Sequence, residues 1–318
     1  MNADVMILLV GEQPAPNVLP LRHYNPAQVA LVHTDKTYER AKRLDGVIGK
    51  GVTHHFCMTH AYRVDAIEAS LLAYLDERKW SGESLIFNLT GGTKTMALAA
   101  YEVARQVGAR AFYYQTEDNE NIIHPYRFQD GHLVCEPFVP IAATLTLDDY
   151  LRLYAGEYIE GKLKDPFEKM VEAALRSGLP GYEIKASVRL TELAGNVEID
   201  LLVRCGNQVA AFEIKQHADK RGIDQLNGVT DQRTLGTYTR KILVSAAPMD
   251  ENNLDLARAY RIKPVVLPSG AGEALTEEDS QRLVEAVRQS LEPKPSQIRN
   301  PGTARDASRA KSEIGNPT

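Results

Sequence analysis

Apolar and polar positions along the chain follow two rhythms. Val5–Val10 is an unbroken apolar run closed by Gly11, and Val29–His33 is another. Short runs of this kind predict strands buried on both faces. Between them the period lengthens to that of a helix: Asp35 can cap a helix from about Lys36 to Leu44, and Asp65–Trp80 sets Ile67, Leu71, Leu72 and Leu75 on one face. Val52–Met58 predicts a third strand, Ser84–Leu89 a fourth, Thr95–Val107 an alanine-rich helix and Ala109–Gln115 a fifth strand. Strands alternating with helices predict an α/β fold with a mostly parallel sheet covered on both faces. In such sheets ligands bind beyond the carboxyl ends of the strands.

The pattern then changes. Asn121–Phe138 reads as a hairpin at the sheet edge, Thr146–Tyr154 as a short capped helix and Gly156–Lys164 as a polar connection. Pro166–Arg176 opens a second unit as a helix with Phe167, Met170, Val171 and Leu175 inward, and Glu168 on it is expected at the solvated surface. A strand over Tyr182–Leu193, a hairpin over Val197–Ile214, a helix over Lys220–Leu235 carrying Gln225, a strand over Arg240–Ser245, a helix over Leu254–Tyr260, a strand over Pro264–Leu267 and a closing helix over Thr276–Ser290 follow. From Glu292 onward apolar periodicity is lost and disorder is expected. The division predicted is a domain over 1–140, a connecting region over 141–164, a second domain over 165–292 and a tail over 293–318.

Composition adds limits. A hydrophobic share of 43% and a charged share of 25% are those of a globular chain long enough for two domains. Cys57, Cys135 and Cys205 lie far apart without a C-x-x-C pair, so no disulfide framework or zinc ribbon is suggested, and a reducing cytoplasm is expected. The opening M-N-A-D-V-M-I-L-L-V lacks the basic residue of a signal peptide, and no apolar run is long enough to span a bilayer. Net charge is −6 over residues 1–160, −2 over 161–292 and +3 over 293–318. Nucleic acid or nucleotide must therefore be held by aimed cations, helix N-termini and metal ions, and not by a broadly basic face. His54, His55, Cys57 and His60 are a weak metal signal, because neighbouring histidines on a strand point to opposite faces.

The hairpin carries the chemistry. Glu198 and Asp200 lie two apart on its first strand, and Glu213 and Lys215 two apart on its second, so each pair projects from one face. A carboxylate at Asp200, among Val197, Ile199, Leu201, Leu202 and Val203, loses hydration without return unless it is paired. A divalent metal, magnesium or manganese for an oxygen-rich set, would supply that return, with Lys215 orienting or deprotonating a water beside it. Cross-strand ion pairs facing water are the plainer alternative.

Two strand ends in the first half also stand out. Gly11-Glu12-Gln13-Pro14-Ala15-Pro16-Asn17 reads as a rigid, proline-set loop after Val10. Thr90-Gly91-Gly92-Thr93-Lys94-Thr95 follows Leu89 and leads straight into a helix, where backbone N–H groups, hydroxyls and an ammonium suit an anion such as phosphate. It is not a Walker loop, because Lys94 follows Thr93 where that motif needs glycine. A turn that needs its glycines for geometry alone is the alternative.

The order Glu198-x-Asp200, turn, Glu213-x-Lys215 resembles the PD-(D/E)xK nuclease superfamily, with Ile199-Asp200 in place of a literal Pro-Asp. The loops E-Q-P-A-P-N and N-L-T-G-G-T-K-T-M resemble those of CARF domains, which bind cyclic oligoadenylates in type III CRISPR defence. Together they resemble CARF nucleases over roughly residues 5–290. The resemblance implies a Rossmann-like sensor followed by a nuclease domain with a mixed sheet, and a homodimer activated by a cyclic oligoadenylate, most often cyclic tetra-adenylate. It also implies Mn2+- or Mg2+-dependent cutting of single-stranded DNA, RNA or both, with nicked duplex DNA as a further substrate. Activator contacts are implied for Glu12, Gln13, Pro14, Asn17, His33 and Thr34, and for Thr90, Gly91, Gly92, Thr93, Lys94 and Thr95. Metal ligands are implied at Asp200 and Glu213 with Glu198 in support, and Lys215 as the residue that positions water; Glu168 matches the place where the superfamily often has a further acidic residue, although the solvated surface is its expected role. Two rival readings remain at this level: a nucleotide-sensing regulator without catalysis, and a constitutive restriction or repair nuclease.

Overall fold

The computed structural model describes residues 4–49, 51–192, 197–231, 234–236 and 238–293. The tail beyond Pro293 and the residues just before Val197 lie outside these. The first half runs β1 (Val5–Leu9), α1 (Ala15–Tyr24), β2 (Gln28–His33), α2 (Tyr38–Val47), β3 (Thr53–Met58), α3 (Val64–Arg78), β4 (Leu85–Asn88), α4 (Lys94–Gln106), β5 (Arg110–Glu117), β6 (Glu120–Gln129), β7 (His132–Cys135) and β8 (Val139–Pro140). Its sheet has the order β3-β2-β1-β4-β5-β6-β7, parallel from β3 to β5 and antiparallel beyond, with β8 on β6. The unbroken apolar runs of β1 and β2 are buried along their length, as residues covered on both faces must be.

Helix α1 stands where the sequence reads as a loop. Pro14 holds the N-cap position and Pro16 the first turn, where a missing N–H has no intrahelical partner to lose. The helix carries a further proline at Pro20 and ends on Asn25 in the left-handed region, φ 47°. Prolines clustered this closely hide a helix from a reading of breakers.

The second half runs α5 (Leu147–Tyr154), β9 (Tyr158–Glu160), α6 (Pro166–Gly178), β10 (Glu183–Leu190), β11 (Val197–Cys205), β12 (Gln208–Lys215), α7 (Lys220–Val229), β13 (Arg240–Ser245), α8 (Glu251–Ala259), β14 (Ile262–Val266) and α9 (Glu277–Leu291). The sheet order is β14-β13-β12-β11-β10-β9, antiparallel from β9 to β12 and parallel from β12 to β14. The 156–164 segment is more than a polar connection, because β9 pairs with β10 there. Helix α7 stops at Val229, six residues before the expected Leu235. Leu235 is buried in a loop instead, its carbonyl accepting from the Tyr150 hydroxyl at 2.6 Å.

Helix α5 is the seam between the sheets. Thr146 and Asp149 form a capping box at its start. Its Leu147, Tyr150, Leu151 and Tyr154 belong to one buried cluster that runs from Met6, Leu8 and Phe112 to Leu202, Ala211 and Leu243. Such continuity ties the two sheets together. Among the described residues no helix is long and apolar enough to cross a membrane. His54 pairs with Asp45 through Nδ1 at 2.6 Å, and His55 with Gln28 at 3.2 Å, so the two neighbouring histidines turn to different partners.

Candidate functional site

The acidic site forms where the ladder between β11 and β12 gives out. Pairing runs from Cys205↔Gln208 to Leu201↔Phe212 and stops. The Ile214 amide beyond it donates instead to Asp200 Oδ2, at 2.7 Å, which satisfies a backbone donor with a side chain. On the other flank, β10 pairs through Ala186↔Leu201 and Val188↔Ile199 while Ser187, between them, has φ 48°. A non-glycine residue in the left-handed region inside a strand is costly and accompanies special sites. Asp200 thus sits in a gap between strands.

Glu213 and Lys215 project into the same gap. Lys215 Nζ lies 2.7 Å from Glu213 Oε1 and 3.5 Å from Asp200 Oδ2. Asp200 is 9% exposed and Glu213 1% exposed. The Glu213–Lys215 contact is an ion pair off hydrogen-bond alignment, so Glu213 Oε1 is buried without a hydrogen-bond partner. Burial, reinforced by the neighbouring Asp200 charge, pushes the Glu213 carboxyl up to about 7. Burial also raises Asp200, against the pull of Lys215. Burial alone would lower Lys215, yet its contact with Glu213 and the charge of Asp200 hold it above the ordinary range.

Glu168 contradicts its expected place at the solvated surface. It lies on α6 facing an open cleft of about 460 Å³ whose lining includes Lys164, Glu168, Arg189, Glu198, Asp200 and Gln225. Desolvation first, and the Asp200 charge second, push its carboxyl up to about 7. Glu198 shares the cleft but is held differently. It accepts from the Ser187 hydroxyl at 2.7 Å and meets Arg189 at 3.5 Å, and the Ser187 bond keeps its carboxyl below the usual range. Ser187 was not legible as a site residue, since a lone serine in a strand gives no periodic or motif signal.

As a metal site, the donor set is partly assembled. Among the described residues no group of three or more His, Cys, Asp or Glu side chains is close enough to hold a metal ion. The buried Glu213 oxygen that meets only the Lys215 ammonium, and Asp200 beside it, nevertheless fit a hard cation.

The second gathering lies at the carboxyl ends of β2, β1 and β4. Here several of the residues expected to contact an activator also make contacts within the fold. Asn17 is fully buried in α1, donating to the Leu9 carbonyl at 3.0 Å while its own oxygen accepts from Asn88 at 3.0 Å. Asn88 also bonds the Pro16 carbonyl, so the pair fastens α1 to the sheet. Gly91 and Gly92 serve the loop's own packing. A Cβ on Gly91 would stand 1.9 Å from the Leu9 carbonyl oxygen, and Gly92 has φ 69°. Likewise a Cβ on Gly11 would stand 2.9 Å from the Gly92 nitrogen, which brings the two loops into contact.

The hydroxyls are engaged as well. Thr90 accepts from the Tyr114 amide at 2.6 Å, Thr93 caps α4 by accepting from Met96 N at 3.1 Å, and Thr93 and Thr95 both donate to the Ala61 carbonyl. His33 and Thr34 are buried beside this edge, His33 within ring contact of Tyr38 and Phe56, and Pro14 is buried at the start of α1. Glu12 and Lys94 are exposed, Gln13 half-buried, its oxygen 3.4 Å from the Tyr154 hydroxyl. Lys94, on the first turn of α4, is thus the residue of the loop best placed to meet an anion.

Comparison with known proteins adds the following. A search of curated proteins found no match. Among solved structures, Can2 from Sulfobacillus thermosulfidooxidans in complex with cyclic tetra-adenylate is similar with TM-score 0.69 at 16% identity, over 91% of this chain and 99% of that one. Protein VC1899 from Vibrio cholerae is similar with TM-score 0.68 at 14% identity, over 90% and 98%. A type III CRISPR defence DNA nuclease activated by cyclic oligoadenylate is similar with TM-score 0.54 at 18% identity, over 79% of this chain and 47% of that one. At such identities the likeness is one of fold, and with Can2 it extends through both sheets. Residues 5–150, which hold the parallel-rich sheet, match the Card1 CARF domain.

Proposed function

We propose that the protein is a metal-dependent nuclease of the PD-(D/E)xK kind, switched on by a cyclic oligoadenylate in type III CRISPR defence. The observation that carries the reading is the meeting of Asp200, Glu213 and Lys215 in the gap between β11 and β12. The CARF match over residues 5–150 supplies the sensing half, and the Can2 complex with cyclic tetra-adenylate favours that ring as activator.

Asp200 and Glu213 would hold magnesium or manganese, with Glu198 and Glu168 supporting from the cleft. Such an ion supplies charge stabilisation at a phosphodiester and acidifies a bound water. Lys215, fixed by its two carboxylates, orients the attacking water and holds positive charge where the phosphate becomes more anionic. Lys164 and Arg189 on the rim steer the substrate backbone, single-stranded DNA or RNA or nicked duplex DNA, toward Asp200.

The sensor acts as a homodimer in this reading. Met58, Tyr62 and Leu98 are exposed apolar residues on the CARF side. The bonds from Thr93 and Thr95 to Ala61 bring the loop carrying Tyr62 against the start of α4, one turn from Leu98. A second copy related by a two-fold axis would cover them, and a four-unit ring has a symmetry compatible with that axis. The test is incubation with manganese and single-stranded DNA, RNA and supercoiled plasmid, with and without each cyclic oligoadenylate. Cleavage only with activator is expected. Cleavage without any activator would favour a constitutive nuclease, and binding of activator without cleavage a regulator.

A further inference from the structure

At the amino ends of β13 and β14, opposite to the end that holds Lys215, cations gather around an open groove of about 670 Å³. Arg240 and Lys241 enter from β13, Arg261 and Lys263 from the turn into β14 and its first residues, and Arg288 from the last turns of α9. Two carboxylates, Glu285 and Glu292, share the lining. Glu292 is 3.9 Å from Arg288 and also accepts from the Tyr182 hydroxyl. Arg240 donates to Asn119 Oδ1 at 2.6 Å, Lys241 to Asn227 Oδ1 and the Tyr260 carbonyl, and Lys263 to the Ala286 carbonyl and Gln289, so with Arg261 and Arg288 five cations stand around the groove against the two carboxylates of its lining. Burial first, and Arg261 second, lower the Lys241 ammonium, against the opposite effect of Asp231.

A gathering of this kind in a chain of net charge −5 is a local device, with the remainder of the surface repelling a polyanion and this groove attracting one. The chain's own continuation does not fit it. Residues 293–318 carry net +3, the sign of the groove itself. The last carbonyls of α9 are met within the fold, that of Ala286 by Lys263 and that of Ser290 by Asn119 Nδ2, while Arg261 and Arg288 are exposed, Arg288 also donating to the Gly178 carbonyl at 3.1 Å.

We infer that this groove is a second contact surface for a nucleic-acid strand, gripping the phosphate backbone at a distance from the acidic gap. The register from Ala210↔Arg240 to Lys215↔Ser245 separates the two ends of the sheet by five residues, or roughly 17 Å. Without metal the gap presents carboxylates and repels phosphate, so in EDTA the groove is the contact for a strand of either length, and a longer strand meets more of its cations. The identification of that strand as substrate rests on the nuclease reading above, whereas the grip itself does not require chemistry.

The test uses the full chain with EDTA present, so that no cleavage interferes, and measures anisotropy of labelled single-stranded DNA and RNA of about 4 and about 20 nucleotides. R261E/R288E is expected to weaken binding of the longer strands about tenfold and to reduce the magnitude of the salt slope by about 1–2. Binding of the shorter strands should weaken as well, by a smaller factor, and R261K/R288K should bind as the parent does. Thermal melting of the reversed variant alongside the parent separates loss of grip from loss of fold. Equal affinity of parent and reversed variant for the longer strands overturns the inference, as does a loss that accompanies unfolding. A parent that cleaves with manganese and activator but shows no effect of the reversal removes the groove and leaves the nuclease reading intact. A parent that grips long strands through these arginines yet cleaves nothing removes the nuclease reading and leaves the groove.

Discussion

Replacing Glu213 with glutamine tests the acidic gap without relying on catalysis. The substitution keeps shape and removes a charge from a side chain that is 1% exposed. In the folded protein the carboxyl ionises near 7, against an ordinary value of 4.5, even with Lys215 beside it. A carboxyl raised on folding contributes stability that is fully present below its unfolded value and lost as pH rises through its folded value. Without metal the wild type should therefore lose stability between about pH 4.5 and 7 and remain weakened at pH 8. The displacement converts to at most about 3 kcal/mol, and because Glu213 shares its protons with Asp200 and Lys215 a working range is about 1–3 kcal/mol. E213Q lacks this loss. In EDTA its melting temperature should match wild type at pH 5 and exceed it by roughly 2–6 °C at pH 8. Manganese should reverse the order. An ion present at 100 times its dissociation constant stabilises wild type by about 2.7 kcal/mol and the variant by much less. A difference between the two proteins that does not change with pH would show that Glu213 ionises normally, and equal stabilisation by manganese would remove it from the metal site.

The other tests address single contacts. Glu168→Gln should lessen the same pH-dependent loss and weaken manganese stabilisation, because Glu168 titrates near 7 beside Asp200; an unchanged pH profile would return it to the solvated surface. Gly91→Ala would press a methyl group against the Leu9 carbonyl and should destabilise the chain by about 2–4 kcal/mol in thermal melting. An alanine variant as stable as wild type would refute the loop packing. Lys94→Ala should raise the cyclic tetra-adenylate concentration needed for half-maximal cleavage about 10- to 100-fold, from a lost charge-assisted contact of about 1.5–3 kcal/mol, with the maximal rate retained. Superimposable titrations would exclude that contact.

Local pattern was enough for most elements. The apolar runs of β1 and β2, the helical face of α3 and the caps at Thr146 and Thr276 are statements about neighbours in sequence, and the chain obeys them. The period of two in β11 and β12 likewise determined that Glu198 with Asp200, and Glu213 with Lys215, leave the sheet on shared faces. What α1 and the end of α7 lacked was a clear local signal: prolines masked the first helix, and an apolar Leu235 extended the second on paper.

The energetics of the site came from tertiary structure alone. Asn17 is a lattice post for β1 and β4 because Asn88, distant in sequence, arrives beside it. The left-handed Ser187 and the halted ladder at Leu201↔Phe212 follow from how three strands splay around Asp200, which no single strand encodes. Glu168 reads as surface on its helix, since nothing within α6 buries it. Its carboxyl is raised because the fold desolvates it and brings Asp200 of β11 toward that helix, against the opposing charge of Lys215. Side-chain direction is a local property of backbone period, and it was legible. Ionisation depends on the dielectric and charges that distant segments bring, and that information exists only once the chain has folded.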